Sequence, residues 1–197
     1  MMKILIILLT SLIFVTPFAT SGELNCQMCH GSHLQGNVVT GAPALNNLST
    51  NYIEAQLNAF KQAFRAKSAK DQAGLDMRVV AMQLSQQEIA AALALVKKLR
   101  VTNASSKPSN IPASWQTCVA CHGANGEGND SLNAPAIMGQ QPWYLFKQLH
   151  DYQEGQRGME PADEAGQLMR QTSLLLSAEE IKQLSQFLGQ SNKTEIK

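Results

Sequence analysis

The sequence has no excess of charge of either sign. Its 16 lysine and arginine residues nearly balance 15 aspartate and glutamate residues, and removal of Lys3 with an N-terminal leader would make the two numbers equal. Nucleic-acid-binding proteins usually carry a basic surface, and long-range steering of a charged partner needs a large net charge. The sequence therefore predicts no nucleic-acid partner and no long-range electrostatic steering.

Long hydrophobic runs are also scarce, because the run at the N-terminus has no counterpart later in the sequence. This run covers residues 4–15, follows Lys3, and precedes small residues that include Ser21 and Gly22. Such an order is typical of a secretory signal peptide, and the run is shorter than the roughly 20 residues of a membrane-spanning helix. We predict a signal peptide over residues 1–22, cleaved after Ser21 or Gly22. The alternative is an uncleaved segment that anchors the protein in a membrane.

Cysteine is limited to four residues, and all four belong to two copies of the motif C-x-x-C-H. The first copy is Cys26-Gln27-Met28-Cys29-His30 and the second is Cys118-Val119-Ala120-Cys121-His122. This is a haem attachment motif, in which the two thiols form thioethers with haem vinyl groups and the histidine binds the iron. No cysteine remains for a disulfide. The motifs predict two covalently bound haem c groups, attached through Cys26, Cys29, Cys118 and Cys121, with His30 and His122 as iron ligands.

Paired cysteines also occur in redox dithiols and in four-cysteine zinc sites. Both alternatives leave the histidine after each pair without a role, and the βαβ pattern expected around a thioredoxin-like dithiol is absent from the sequence. The haem interpretation uses every residue that the two motifs share. Because c-type haem is attached on the outer side of the bacterial inner membrane, this interpretation agrees with the signal peptide and predicts a periplasmic protein.

The two motifs lie within an internal repeat. A shift of 92 positions places Cys26 on Cys118 and aligns residues far beyond the motif without a gap. We therefore predict two copies of one small haem domain, at residues 23–101 and 115–197, joined by a linker over residues 102–114. The matched pairs include Gly36 and Gly128, Pro43 and Pro135, Tyr52 and Tyr144, Gln56 and Gln148, Arg65 and Arg157, and Met77 and Met169.

Periodicity predicts an all-α fold for each domain, because no segment alternates for long as a strand does. Apolar residues recur at helical spacing after residues 49–50, either of which can cap the middle helix of the first domain. Ser85 and Ser177 each precede a glutamate by three positions, which is the arrangement of a capping box at the start of a final helix. Residues 65–76 and 158–166 are polar and contain glycine, and both segments are predicted to be loops.

Each iron needs a second axial ligand unless its site stays open. Methionine suits electron transfer, because it raises the reduction potential of the haem. The candidates are Met77 and Met82 in the first half, and Met138, Met159 and Met169 in the second. Only Met77 and Met169 are related by the repeat, and each follows its haem histidine by 47 positions. We predict that Met77 and Met169 bind the two irons, with Met82 as the main alternative in the first domain.

Histidine is the other residue type that could close an iron site. Only His33 and His150 remain outside the motifs, and the repeat pairs neither of them with a histidine. His33 is close in sequence to His30, and His150 belongs to the predicted middle helix of the second domain. We predict that both are surface residues, although His150 could approach a haem.

These features together resemble the cytochrome c4 family of two-domain, two-haem class I c-type cytochromes. The resemblance covers nearly all of the sequence after the predicted leader. It implies two tandem class I cytochrome c domains that pack face to face with haem propionates near the interface. It also implies that Pro43 and Pro135 offer backbone carbonyls to the haem histidines. The shared features are the C-x-x-C-H-G segments, the Gly-Asn pairs at 36–37 and 128–129, the Ala-Pro pairs at 42–43 and 134–135, and Tyr-x-x-x-Gln-Leu on the middle helices.

By this resemblance the protein is expected to be a periplasmic electron carrier without substrate chemistry. Its expected partners are redox proteins, such as a quinol-oxidising complex and a terminal oxidase or reductase, with possible peripheral association with the inner membrane. The alternative is the cytochrome subunit of a periplasmic dehydrogenase, such as a flavocytochrome sulfide dehydrogenase. A dihaem peroxidase or a thiosulfate-oxidising cytochrome would need an open iron or an unusual ligand, and a matched methionine in each half argues against both.

Overall fold

The computed structural model describes residues 25–101 and 110–190, and α-helices account for most of both segments. The predicted signal peptide lies outside the described residues, as do residues 102–109 of the predicted linker. Within the described ranges there is no strand, only two isolated bridges between single residues, so the all-α prediction is confirmed. The first segment contains α1 (Cys26–His30), α2 (Thr50–Lys61), α3 (Gln72–Gln83) and α4 (Gln86–Lys98). The second contains α5 (Trp115–His122), a 3-10 turn (Asp130–Leu132), α6 (Pro142–Gln153), α7 (Glu164–Ser173) and α8 (Ala178–Gly189).

The two segments repeat the same packing. Helix α2 contacts α3 and α4, and α6 contacts α7 and α8 in the same way. Among the described residues, no helix is long and apolar enough to cross a membrane. The buried core of the first segment is formed by Leu34, Leu48, Ile53, Leu57, Phe60, Ala66, Ala81, Leu84, Ile89 and Val96. A second core cluster is formed by Trp115, Met138, Leu145, Leu184, Phe187 and Leu188.

Polar caps start the helices where the sequence predicts them. The Ser49 side chain accepts a hydrogen bond from the backbone of Tyr52 and caps α2. Complete capping boxes begin α4 at Ser85 and α8 at Ser177, with the glutamate at the third helical position bonded back to the cap in each case. These reciprocal bonds satisfy backbone N–H groups that the first turn of a helix leaves unpaired.

The two predicted loops are wrong in their C-terminal parts. Helix α3 begins within residues 65–76, and α7 begins within residues 158–166. Consequently Met77 and Met169 lie in the middle of helices, and neither follows a loop directly. The two methionines nevertheless occupy equivalent positions in α3 and α7, as the repeat predicts.

The glycines that suggested loops are part of helix caps. The Asp71 carboxylate caps α3 and accepts a hydrogen bond of 3.1 Å from the backbone N–H of Gly74. Asp163 caps α7 and accepts one of 3.0 Å from Gly166. A Cβ atom at either glycine would lie about 2 Å from a carboxylate oxygen of its capping aspartate. Glycine therefore makes room for the cap, and this benefit outweighs its low helix propensity.

Candidate haem-binding sites

The histidine of each C-x-x-C-H motif is buried and oriented by a backbone carbonyl. Nδ1 of His30 lies 2.8 Å from the oxygen of Pro43, and Nδ1 of His122 lies 2.8 Å from the oxygen of Pro135. A carbonyl oxygen can only accept a hydrogen bond, so Nδ1 carries the proton and Nε2 is free to bind a metal. The role predicted for the two prolines is confirmed by these contacts.

The loop after each histidine folds back under the motif. The backbone N–H of Gly36 donates to the carbonyl of His30 over 2.7 Å, and Gly128 donates to His122 over 2.8 Å. Both glycines have φ near +90°, a backbone conformation that is energetically unfavourable for residues with a Cβ atom. A Cβ atom at Gly128 would also lie 2.5 Å from the backbone nitrogen of Ala136, beside the carbonyl that orients His122. Glycine is needed here to bring the proline loop to the histidine.

Protonation of the motif side chains fits haem attachment. Burial lowers the pKa of His30 and His122, even though the bonds to the proline carbonyls act in the opposite direction. Each imidazole is therefore neutral at neutral pH, which is the form that binds iron. Burial also raises the pKa of Cys26, and it raises the pKa of Cys118 to about 11.

Neither alternative use of the paired cysteines fits the structure. A reactive dithiol needs the thiolate, which a lowered pKa provides, whereas burial raises the pKa of Cys26 and Cys118. Moreover, over residues 25–101 and 110–190 no group of three or more His, Cys, Asp and Glu residues is placed to hold a metal ion. The two cysteine pairs therefore do not meet in a four-cysteine zinc site.

In the second domain, one open cavity brings the predicted haem-binding residues together. Cys118, Cys121 and His122 line it from the motif, and Met169 lines it from α7. Its empty volume, which includes the solvent-open mouth, is about 1500 Å³. The rest of the wall is largely apolar and includes Ile137, Leu145, Leu149, Leu176, Leu184 and Leu188. Two thiols, a neutral imidazole and a thioether around an apolar space fit a covalently attached haem.

The first domain places its candidate residues in corresponding positions. His30 is buried, and Cys26 and Met77 both pack against the first core cluster. The alternative ligand Met82 is 62% exposed, so its side chain does not belong to that core. In the second domain Met159 is exposed and Met138 is part of the second core cluster.

The two remaining histidines lie elsewhere. His33 is exposed, and its Nδ1 lies 3.0 Å from the hydroxyl of Ser32. His150 packs edge-on against Phe146 with 4.5 Å between the ring centres. It is not among the residues that line the cavity of the second domain.

The two domains meet at a buried polar cluster whose residues belong to no motif in the sequence. Arg65 and Arg157 donate hydrogen bonds to Gln56 and Gln148, and each arginine contacts one glutamine from either domain. The repeat matches these residues as two pairs. The sequence does contain a signal for this cluster, because the repeat retains arginine and glutamine within a largely apolar pattern.

A second contact between the domains involves a residue that is not repeated. Oε1 of Gln140 accepts a hydrogen bond of 3.0 Å from the backbone N–H of Ala44, and Nε2 donates one of 3.0 Å to the Ala44 carbonyl. The repeat places Gln140 opposite Leu48, so no pattern marked it. The glutamine of one domain thus holds the proline loop of the other, next to Pro43.

The cytochrome c family model matches residues 18–100 and 112–192, which together make up most of the sequence. The chain therefore belongs to the cytochrome c family. It has the family domain twice, carries two covalently bound haem c groups, and resembles the dihaem cytochromes c4.

Two curated relatives match nearly the whole chain. Cytochrome c4 of Azotobacter vinelandii is 26% identical over 178 residues, covering 83% of this chain and 82% of the relative. A protein named thiosulfate dehydrogenase electron acceptor from Stutzerimonas stutzeri (strain A1501) is 25% identical over 196 residues. That match covers 90% of this chain and 83% of the relative.

Two solved structures share the two-domain architecture. Reduced recombinant cytochrome c4 from Pseudomonas stutzeri aligns with a TM-score of 0.62 at 26% identity, covering 83% of this chain and 92% of that one. A thiosulfate dehydrogenase from Marichromatium purpuratum aligns with a TM-score of 0.65 at 27% identity. The match covers 84% of this chain but only 36% of that longer protein.

Proposed function

We propose that the protein is a periplasmic electron carrier in which each haem iron is closed by one histidine and one methionine. The ligands are His30 and Met77 in the first domain, and His122 and Met169 in the second. The observation that supports this best is the cavity of the second domain, which is lined by Met169 as well as by the C-x-x-C-H residues. Met77 has the equivalent place in α3.

Haem iron supplies reversible one-electron exchange, and its axial ligands tune the potential. The residues of this chain attach and orient the group and restrict access to its iron. The proline carbonyls fix the haem histidines and increase their basicity. A methionine bound to the same iron would raise the potential and leave no open position for a substrate. Such a site transfers electrons without catalysing substrate chemistry.

The proposal includes the export and domain arrangement expected from the sequence. Residues 1–22 direct export and are then removed. Export agrees with the cofactor, because c-type haem is attached outside the inner membrane. Residues 23–101 and 115–197 form the two haem domains, and residues 102–114 join them. The match of the family model to two separate ranges supports this division.

The proposed partners are redox proteins, and two kinds are distinguished by experiment. One kind is a quinol-oxidising complex with a terminal oxidase or reductase, as expected from the cytochrome c4 resemblance. The second candidate function is that of electron acceptor for a periplasmic dehydrogenase. The relative named for thiosulfate dehydrogenase and the longer solved enzyme favour a thiosulfate dehydrogenase in that role over a sulfide dehydrogenase.

Optical spectra of the purified holoprotein test the closed-iron proposal. In the oxidised form, the weak red absorption band of methionine-bound iron should have the intensity of two haems. The reduced form should not change when carbon monoxide is added, because both irons lack an open position. One equivalent of the band, or carbon monoxide binding at one haem, would contradict the proposal and favour an enzyme.

Single methionine variants test the assignment of ligands. Met77→Ala and Met169→Ala should each remove half of the methionine-to-iron band and open one iron to carbon monoxide. Met82→Ala and Met159→Ala are matched controls, because both side chains are exposed, and they should leave the spectrum unchanged. An unchanged band in Met77→Ala, or its loss in Met82→Ala, would refute the assignment in the first domain.

Stopped-flow reduction separates the two candidate roles. The oxidised holoprotein is mixed with a thiosulfate dehydrogenase and thiosulfate, and in parallel with a quinol-oxidising complex and quinol. A faster reaction with the dehydrogenase at equal concentration supports the acceptor role. Reduction by the quinol-oxidising complex alone would exclude it.

A further inference from the structure

Lys147 on α6 lies between two carboxylates, one from each domain. Its ammonium nitrogen lies 2.9 Å from Oδ1 of Asp71 in the first domain and 2.6 Å from Oδ2 of Asp151 on its own helix. The side chains of Asp71 and Asp151 are only 15% and 12% exposed. Solvent and salt therefore screen these contacts less than they screen an ion pair on an open surface.

Lys147 keeps its charge in this position. Burial by itself lowers the pKa of an ammonium group, but hydrogen bonds to Asp151 and Asp71 outweigh that effect and raise the pKa of Lys147. The ammonium group thus separates two carboxylates that would otherwise repel each other across the domain boundary.

Asp71 also begins the helix that carries Met77. The oxygen that contacts Lys147, Oδ1, accepts a hydrogen bond of 3.1 Å from the backbone N–H of Gly74 and caps α3. Met77 belongs to the same helix, and its side chain packs against the first core cluster. A capping side chain holds the first turn of a helix in place by pairing its free N–H groups. The start of α3 is therefore fastened to α6 of the second domain through Lys147.

The second domain has only half of this arrangement. Asp163 caps α7, the helix that carries Met169, in the same way. The repeat places Ala55 opposite Lys147, and among the residues that the structure describes Asp163 takes part in no ion pair. The cap of α7 is thus not held by a cation from the other domain, and this difference distinguishes the two methionine-bearing helices.

We propose that Lys147 is a positioning residue for the first haem, because it holds the cap of α3 from the second domain and thereby keeps Met77 at its iron. The inference rests on the proposed methionine ligation and identifies the residue on which one of the two ligations depends. Contact between the domains then controls how readily the first iron loses its methionine. Because that methionine raises the potential, the potential of the first haem also depends on this contact.

Exchange of methionine for imidazole in the oxidised holoprotein tests the proposal. Imidazole binds a closed iron only after the methionine is released, so at saturating imidazole the loss of the methionine-to-iron band measures the release rate. Met77→Ala and Met169→Ala each leave one methionine-bound iron, and they assign the two rates to the two haems. Lys147→Gln should raise the rate at the first haem about fivefold, which corresponds to about 1 kcal/mol, and leave the rate at the second haem unchanged.

Two further variants separate the charge of Lys147 from its bulk. Asp71→Asn removes the carboxylate charge but retains a good capping residue, and it should accelerate release at the first haem as Lys147→Gln does. Lys147→Arg retains the positive charge and the ability to donate to carboxylates, and its release rate should stay close to that of the wild type.

Lys67→Gln and Lys70→Gln are matched controls, because each removes one positive charge near the same boundary. Lys67 forms an ion pair with Glu160 of the other domain, but the lysine is more exposed than Lys147 and neither partner caps a helix. Lys70 directly precedes Asp71, is exposed, and forms no ion pair within the described ranges. Both controls should leave both release rates unchanged.

The proposal is overturned if the release rate at the first haem is unchanged in Lys147→Gln. Equal acceleration at both haems would indicate a general loosening of the interface, and equal acceleration in Lys147→Arg and Lys147→Gln would show that charge is not the cause. Either result would also overturn the proposal.

A separate measurement distinguishes failure of this proposal from failure of the proposed function. Absence of the methionine-to-iron band from the wild type would contradict the proposed ligation. A double-mutant cycle of Lys147→Gln and Asp71→Asn in urea unfolding measures the coupling of the lysine to the cap of α3 without reference to the iron. Additive effects in that cycle would overturn the positioning role of Lys147 even where both irons are closed by methionine.

Discussion

Replacement of Gln140 by leucine is expected to loosen the proline loop of the first domain. Gln140 is 2% exposed, and its amide group makes one hydrogen bond in each direction with the backbone of Ala44. Leucine keeps most of the side-chain volume and removes both bonds, together with the bond of 3.1 Å that Oε1 of Gln140 accepts from the backbone N–H of Gln141. The repeat itself has leucine at the equivalent place, Leu48, so this residue type is compatible with the fold at that position.

The size of the effect follows from the groups that remain unpaired. The N–H of Ala44 keeps a second acceptor, the side-chain oxygen of Gln141 at 2.9 Å. The carbonyl of Ala44, a residue that is only 3% exposed, loses the bond from Gln140. A net hydrogen bond is worth about 1 kcal/mol, and a buried polar group without a partner costs about 1–3 kcal/mol. We expect the free energy of unfolding to fall by about 2–3 kcal/mol.

The same change should alter the haem site of the first domain. Ala44 directly follows Pro43, whose carbonyl orients His30. Denaturant unfolding of the holoprotein, followed by far-ultraviolet and haem-region circular dichroism, measures both effects. Gln183→Leu is the control, because Gln183 is exposed and bonds only within its own helix. Equal unfolding midpoints for the two variants would refute the reasoning from the Ala44 contacts.

Two further predictions concern the local structure around the sites. Gly128→Ala should lower the free energy of unfolding by about 2–3 kcal/mol and reduce haem occupancy of the second domain. The reason is that φ is +88° and the added Cβ would press on the Pro135–Ala136 peptide. Pyridine-haemochrome analysis counts the haems per chain. Ser85→Ala should cost about 1 kcal/mol in thermal unfolding, through loss of the cap of α4. Hydrogen bonds from the side chain and backbone of Ser85 lower the pKa of Glu88. The contribution of ionised Glu88 to stability should therefore be complete above the ordinary glutamate pKa and should decline as the pH falls through the lowered value. Glu88→Gln should not show this pH-dependent loss of stability.

The repeat made much of the fold predictable from sequence. Capping boxes at Ser85 and Ser177 depend on residues three positions apart, and both are present in the structure. The starts of α3 and α7 differ from the prediction, because a glycine within a polar segment, such as Gly74 or Gly166, usually indicates a loop. A glycine three positions after aspartate is also what a capping carboxylate needs when it lies over the first turn, and sequence alone does not distinguish the two meanings.

The contacts between the domains were less predictable, for two different physical reasons. Arg65 and Gln148 were each visible as repeated residues, but their bond joins positions that only tertiary packing brings together. Gln140 has no repeated counterpart, and its partner is the backbone of Ala44, which any residue type could offer. Side chains that recognise a backbone leave no complementary residue in the sequence.

The distribution of these contacts means that the two haem sites depend on each other. The second domain supplies Gln140, which holds the loop that carries Pro43 in the first. The first domain supplies Leu48, Tyr52 and Gln56 to the wall of the cavity in the second. Each site is completed by residues from the other half of the chain, and the hydrogen-bonded cluster of Arg65, Arg157, Gln56 and Gln148 lies where the two halves meet. Duplication therefore provides the attachment motifs and ligands twice, whereas the environment of each haem is a property of the assembled pair.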